Sequence, residues 1–275
     1  MTLQKVTLYP TKGHLPSSQN ISFHKILITN HLQNMTETLL HCCCAPCSSA
    51  IIEWMMQHDV RPTLYYCNPN IYPEKEYIIR KTELTRYAEK LGLRVIDDDN
   101  LPEWQGWERY HAEWLDGICG LEHEPERGKR CLKCFKIRLL RAAQIAKEEG
   151  FETFTTTLAS SRWKSLDQIN EAGLWAAEQV NGEDSREGLT GDTVQHGETL
   201  AETSSNTGKR KTVVFDTRNW RKGGLQERRN QLLKEIGFYN QLYCGCEFSL
   251  EAMKRKLAAD ECCTPKACPT GKASE

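Results

Sequence analysis

The chain has 275 residues, of which 39% are apolar and 27% charged, and its formal net charge is −1. That balance describes a globular chain long enough for a sizeable core, and it excludes a global basic field for nucleic acid while leaving room for a local basic face. No apolar run approaches the roughly 18 residues of a membrane span, so none is expected.

Residues 1–36 lack the apolar stretch of an export signal and read as a mobile polar lead-in to a cytoplasmic protein. A reducing compartment disfavours structural disulfides, so the 13 cysteines point to metal or redox work more than to stapling. Cys42, Cys67 and Cys119 stand outside close motifs and read as inert thiols.

In chain order, residues 36–41 form a short apolar run that fits a buried strand. The turn HCCCAPC follows at once, with Cys43, Cys44 and Cys47 inside it. Ser48, Ser49, Ile51, Ile52, Met55 and Met56 then read as a helix, with Pro46 in its tolerant first turn. Residues 64–67 form a second strand, closed by Asn68-Pro69-Asn70 and Pro73. Apolar periodicity predicts a helix over 74–91 with Gly92 as its stop, and LRVID, 93–97, is a third strand.

Helices are expected over 103–118 and 130–150, then a strand over 151–158, a loop and another helix. Residues 181–211 have almost no apolar content and read as a disordered insertion. A strand over 212–217 and a helix near 225–236 follow, and residues 251–275 read as a loose polar tail. The alternation of strands and helices indicates a single α/β domain over 37–250, a Rossmann-like (HUP-like) parallel sheet with helices on both faces. Ligands in such sheets bind at the carboxyl ends of strands, near the switch in strand order. Cys43, Cys44 and Cys47 fall at one such end, and Asp97, Asp98 and Asp99 at another.

Three cysteine constellations carry chemistry. Cys44-x-x-Cys47 and Cys131-x-x-Cys134 could each aim two thiolates at one metal, and Arg130 and Lys133 would favour thiolate at the second pair. The 86 residues between Cys44 and Cys131 far exceed a zinc ribbon's spacing, and a ribbon has no use for Cys43. The five thiols 43, 44, 47, 131 and 134 exceed one tetrahedral site, and an iron–sulfur cluster takes up to four. Radical chemistry of the C-x3-C-x2-C type fails, because the third ligand would fall at Ala50. Cys244-Gly245-Cys246 could form a strained, reducible disulfide, or supply two more ligands or free thiols. No function is assigned to Cys262, Cys263 and Cys268.

Two other readings compete. An ATP-dependent tRNA thiolase of the same fold would carry a glycine-rich phosphate loop, yet CCCAPCSS has no glycine. A zinc-stabilised RNA-binding module would use the same C-x-x-C pairs without catalysis.

LLHCCCAPCS, NPNIYPEKEYIIR, RCLKCFKIRL, FTTTLASS and QLYCGCEFS, in this order over about residues 37–250, resemble the cobalamin-independent epoxyqueuosine reductases, the QueH family. The resemblance implies an oxidoreductase that reduces the epoxide of epoxyqueuosine at the tRNA wobble position to give queuosine. It implies a [4Fe-4S] cluster on Cys43, Cys44, Cys131 and Cys134, and a redox-active disulfide between Cys244 and Cys246. It also implies a nearby mononuclear iron, for which Cys47 with Asp99, and Asp97 second, are the expected ligands. An external electron donor completes the set. For the RNA, Tyr65, Tyr66, Tyr72, Trp163, Arg80, Arg162 and Lys164 are the residue types that stack bases and hold phosphate, although each is individually more at home in a core or a solvated face.

Overall fold

The computed structural model describes residues 35–100, 106–187 and 212–263. The expected lead-in lies outside them up to residue 34, as do residues 188–211 and 264–275. No described helix is long and apolar enough to cross a membrane.

The elements run β1 (Thr36–His41), α1 (Ala45–Gln57), β2 (Val60–Tyr66), α2 (Glu74–Leu91), β3 (Val95–Asp97), α3 (Trp107–Gly117), α4 (Lys129–Glu148), β4 (Thr153–Thr156), α5 (Leu166–Glu187), β5 (Val214–Phe215), α6 (Leu225–Ile236) and α7 (Glu247–Cys263). α2 has the bounds that its periodicity predicts. Its acidic first turn, basic Lys90 and left-handed Gly92 suit the helix dipole and close the last turn. Three expectations need correction. The strand expected over 151–158 is only Thr153–Thr156, because Thr156 Oγ1 accepts the Leu158 amide at 3.1 Å and winds the chain into a 3-10 turn over Thr157–Ser160. α5 continues to Glu187, into the stretch read as a disordered insertion. The first part of the tail expected to be loose is α7.

The five strands form one parallel sheet in the order β3-β2-β1-β4-β5. Leu39 pairs with Phe154 and His41 with Thr156, while Leu64 pairs with Val95 and Tyr66 with Asp97. The chain moves one way from β1 to β3, then returns past β1 to β4 and β5. Right-handed crossovers then put the helices of the two halves on opposite faces. Accordingly α1 packs on α2 and α6, and α4 packs on α3 and α5. Leu39, Leu40, Leu64, Ile52, Leu139, Phe154 and Ala172 are fully buried between these layers. Gly173 lets α5 approach β5, since a Cβ there would stand 2.3 Å from the Phe215 ring. The order reverses between β1 and β4, so the crevice at their carboxyl ends is where this fold builds a site.

Candidate active site

β1 delivers the first cysteines to that crevice. The Cys42 amide extends the ladder to Tyr65 O at 2.8 Å, and Asn68 Nδ2 donates to Cys42 O at 2.9 Å. On the other side the Cys43 amide donates to Thr157 Oγ1 at 3.1 Å, which ties the turn to the end of β4. Cys44 is extended and precedes α1, whose first turn holds Pro46, and Ser48 Oγ donates back to Cys44 O at 2.7 Å. This brings Cys43, Cys44 and Cys47 together, with their sulfurs all within 4.8 Å of one another. Among the described residues this is the group of protein donors that could hold a metal ion.

The three thiols share charge unequally. Hydrogen bonds from Cys44, then from Cys47, pull the Cys43 thiol well below the usual thiol range, and Lys164 and Thr157 add to the effect. Burial pushes Cys44 well above it, and the hydrogen bond to Cys43 pushes Cys47 up to about 11. The arrangement sets the most acidic thiol beside two hydrogen-bonding thiols, a soft donor set of the kind that iron and zinc accept. Cys44 also donates to Gln241 Oε1 at 3.2 Å, so the loop before the C-x-C motif touches the group. Cys42 points away, donates to Leu40 O at 3.3 Å, and is driven upward by burial, as an inert thiol should be.

The other cysteines form a second group. Cys131 and Cys134 occupy the first turns of α4, and the Arg127 amide donates to Cys131 Sγ at 3.3 Å. Cys134 is buried in a small apolar cluster with Trp114 and Ile118, against which Cys246 and Phe248 pack. Burial pushes Cys131 up to about 11, with Cys244 and Cys134 contributing, and burial pushes Cys246 up to about 12, with Cys244 next. Cys244 is exposed, Cys246 is half-buried, and both are free thiols. Their loop is gripped by Arg80, which donates to the carbonyls of Cys244 at 3.2 Å and Tyr243 at 3.3 Å. The Tyr72 amide donates to Gly245 O at 2.9 Å, so NPNIYP packs against the C-x-C motif. Gly245 has φ +132°, and a Cβ there would meet Arg80 and Ile71 at 3.2 Å.

Two cations feel both sulfur groups. Burial alone would lower Lys164, but the charges of Cys244, Cys43 and Cys47 outweigh it and raise the amine. Burial likewise opposes Arg138, yet Cys134, Cys43, Cys67 and Cys244 raise it. Arg138 is fixed by Cys67 O at 3.2 Å and by Asn68 Oδ1. It also lies 3.5 Å from Nε2 of His41, a ring that burial brings down to about 3 and so keeps neutral. Fixed positive charge between two thiol groups lowers the cost of gathering anionic sulfur in a core.

The aspartates do not join this group. Asp99 accepts from Lys81 Nζ at 2.6 Å and Asp97 lies 3.5 Å from the same amine. β3 is two strands from β1, about 9–10 Å at the usual strand spacing, and the end of β2 lies between them. Both carboxylates are engaged by Lys81, and the sharing of an ion by Cys47 with Asp99 or Asp97 stands as an expectation. The buried acid is Asp98 instead, which accepts from the hydroxyl of Tyr65 and lies 3.3 Å from Arg141.

Of the aromatic and basic residues expected at an RNA face, Tyr65, Tyr66 and Arg80 are buried and belong to the core and to the C-x-C grip. Tyr72 and Trp163 are exposed. Lys164 is half-buried, and the charges of Cys244, Cys43 and Cys47 raise its amine. Arg138, Thr157 and Gln241 lie inside the motifs RCLKCFKIRL, FTTTLASS and QLYCGCEFS but were given no role there, because nothing local marks their contacts with the thiols.

A family model described as epoxyqueuosine reductase QueH matches residues 38–187 and 186–252. A protein of that name from Histophilus somni (strain 129Pt) is 42% identical over 212 residues, covering 77% of this chain and 71% of that protein. The one from Haemophilus influenzae is 39% identical over 212 residues, with the same two coverages of 77% and 71%. A third, from Acinetobacter baylyi, is 35% identical over 223 residues, covering 81% of this chain and 84% of that protein.

Proposed function

Because the chain belongs to the epoxyqueuosine reductase QueH family, we propose that its cysteine-lined crevice holds a [4Fe-4S] cluster on Cys43, Cys44, Cys131 and Cys134. The chain is an oxidoreductase of queuosine tRNA modification. Its substrate is epoxyqueuosine at the wobble position of a cytoplasmic tRNA, and its product is queuosine. The observation that supports a metal here is the convergence of Cys43, Cys44 and Cys47 within 4.8 Å at the switch point of the sheet, while Cys131 and Cys134 enter the ligand set from the family resemblance and from the shared influence of both thiol groups on Arg138. The donor set fits: it is sulfur-rich and buried, and it is faced by Lys164 and Arg138, which would offset the charge of a thiolate-bound cluster.

A bound cluster supplies electrons one at a time at a potential set by burial and by hydrogen bonds to sulfur. The chain's own residues do the rest. Thr157 and the Cys43 amide hold the first ligands in register, and Arg127 does the same at Cys131. Removing the epoxide oxygen as water takes two electrons and two protons. Oxidation of the Cys244 and Cys246 thiols to a disulfide releases that number of each, and an external reductant restores the dithiol. Arg80 and Gly245 keep this pair beside Cys134, where it can relay electrons. Cys47 is the further thiol of the group, available to a second metal or to substrate.

The test is turnover of an epoxyqueuosine-containing anticodon stem-loop by anaerobically purified protein, followed as loss of one oxygen atom in the nucleoside by mass spectrometry. Conversion by wild type and none by Cys244→Ser is the expected result. Conversion undiminished in Cys244→Ser would refute the relay, and a colourless zinc protein without turnover would refute the reading as a whole.

A further inference from the structure

Residues 161–165 join the 3-10 turn after β4 to α5, and they are anchored through their backbone. Arg127 donates from Nε to the Trp163 carbonyl at 2.8 Å and from Nη2 to the Arg162 carbonyl at 2.9 Å. Arg221 donates to the Lys164 carbonyl at 2.9 Å, and Gln168 holds the Arg127 carbonyl at 2.8 Å. A loop whose carbonyls are already satisfied can present its side chains without fraying. Trp163 is 76% exposed, the most exposed large apolar side chain among the described residues, and the Arg162 guanidinium lies 5.7 Å over its ring. The same Arg127 donates through its amide to Cys131 Sγ at 3.3 Å, which sets this loop beside the sulfur crevice.

Trp163 has company around the same crevice. Leu242, 73% exposed, precedes Cys244 by two residues, and Tyr72, 39% exposed, is bonded through its amide to Gly245. These exposed apolar groups rim a site of buried sulfur, where a soluble protein gains nothing from them unless a ligand covers them. On the Trp163 side the charge is positive. Arg127 and Arg221 hold the adjacent carbonyls of Trp163 and Lys164, which places two guanidiniums close together, and the buried Nε of Arg221 meets no acceptor among the described residues. An exposed indole flanked by guanidiniums is the chemistry that binds single-stranded nucleic acid.

We infer that Trp163 is a stacking platform for an unpaired nucleobase next to the substrate nucleotide, with Arg162 and Arg127 taking the phosphate between the two. This rests on the proposed function and adds the surface that grips the RNA. Arg127 bonds both the Trp163 carbonyl and Cys131 Sγ, so a base stacked on Trp163 has its neighbour near the sulfur crevice. Trp163 is then a positioning residue, and it acts on RNA affinity and on substrate placement.

The test uses anaerobically purified holoenzyme and a labelled anticodon stem-loop carrying epoxyqueuosine, with Kd, KM, kcat and iron content measured for each variant. Trp163→Ala is expected to raise Kd and KM about tenfold with a smaller change in kcat, and Trp163→Phe to recover most of the loss. Arg162→Ala is expected to reduce the steepness of log Kd against log salt by about 0.7, the release from one phosphate of a single strand. Leu174→Ala, an exposed apolar residue outside the rim, should behave as wild type. Unchanged Kd and KM in Trp163→Ala would overturn the inference. Normal RNA binding with kcat lost at limiting reductant would also overturn it and assign Trp163 to the electron donor. Failure of wild type itself to convert the epoxide would instead overturn the proposed function on which the inference stands.

Discussion

Cys42–Cys47 and Tyr243–Cys246 both crowd cysteines into a few residues, yet the first extends a strand of the sheet and the second is a loop held by Arg80 and the Tyr72 amide. The first turn continues the sheet, with one amide bonded across β2 and the next to the end of β4. The second lies outside regular structure, and Arg80 reaches across from α2 to grip two of its carbonyls. A site fixed by strand register has little freedom to move, which suits metal ligands. A loop held outside the sheet by Arg80 and the Tyr72 amide has more freedom, which suits a pair that changes oxidation state.

Substitutions at four positions break or sharpen that contrast, and the largest effect is at the register-fixed turn. Cys43→Ala should abolish turnover and iron retention together, as read by iron analysis, because no neighbouring donor can slide along a paired strand to replace it. Arg80→Ala comes next. It leaves Glu76, its partner at 2.7 Å, buried without its cation, and it frees the C-x-C loop. Stability should fall by about 3–5 kcal/mol in denaturant unfolding. Arg80→Lys should recover the pairing with Glu76 but not the two carbonyl bonds, so its stability should return further than its turnover.

Gly245→Ala should cost about 1–3 kcal/mol, because an alanine must adopt a positive φ and place its Cβ against Arg80 and Ile71. Turnover should fall with iron content unchanged. Equal loss of iron would mean that this loop also carries ligands. Cys42→Ala is the smallest. It removes a buried thiol that faces Leu40 O, and should cost about 1 kcal/mol while leaving iron and turnover near wild type.

The contrast also separates what the residues disclosed from what they withheld. The β1 turn was legible because a short apolar run, a proline in a first helical turn and a helical stripe are all local signals. α2 was legible to the residue for the same reason, with glutamates at one end and Gly92 at the other. Arg80 was misread as a surface residue because nothing local marks an arginine whose acceptors lie 163 and 164 positions away. Asp99 was assigned to the thiols because strand ends share an edge. How far apart they stand depends on strand order, which periodicity does not contain. Lys164 was selected for its charge and matched to phosphate, whereas the charges that raise its amine are those of Cys43 in the turn after β1, Cys47 in α1 and Cys244 in the C-x-C loop.

The account depends on the two thiol groups acting as one cluster site across Lys164 and Arg138. The most direct measurement is iron and sulfide content, with the electron paramagnetic resonance of the reduced protein, for wild type, Cys43→Ala/Cys44→Ala and Cys131→Ala/Cys134→Ala prepared without air. The account predicts about four irons and four sulfides per wild-type chain, and loss of both from either double variant. Full iron, sulfide and signal in either one would contradict it.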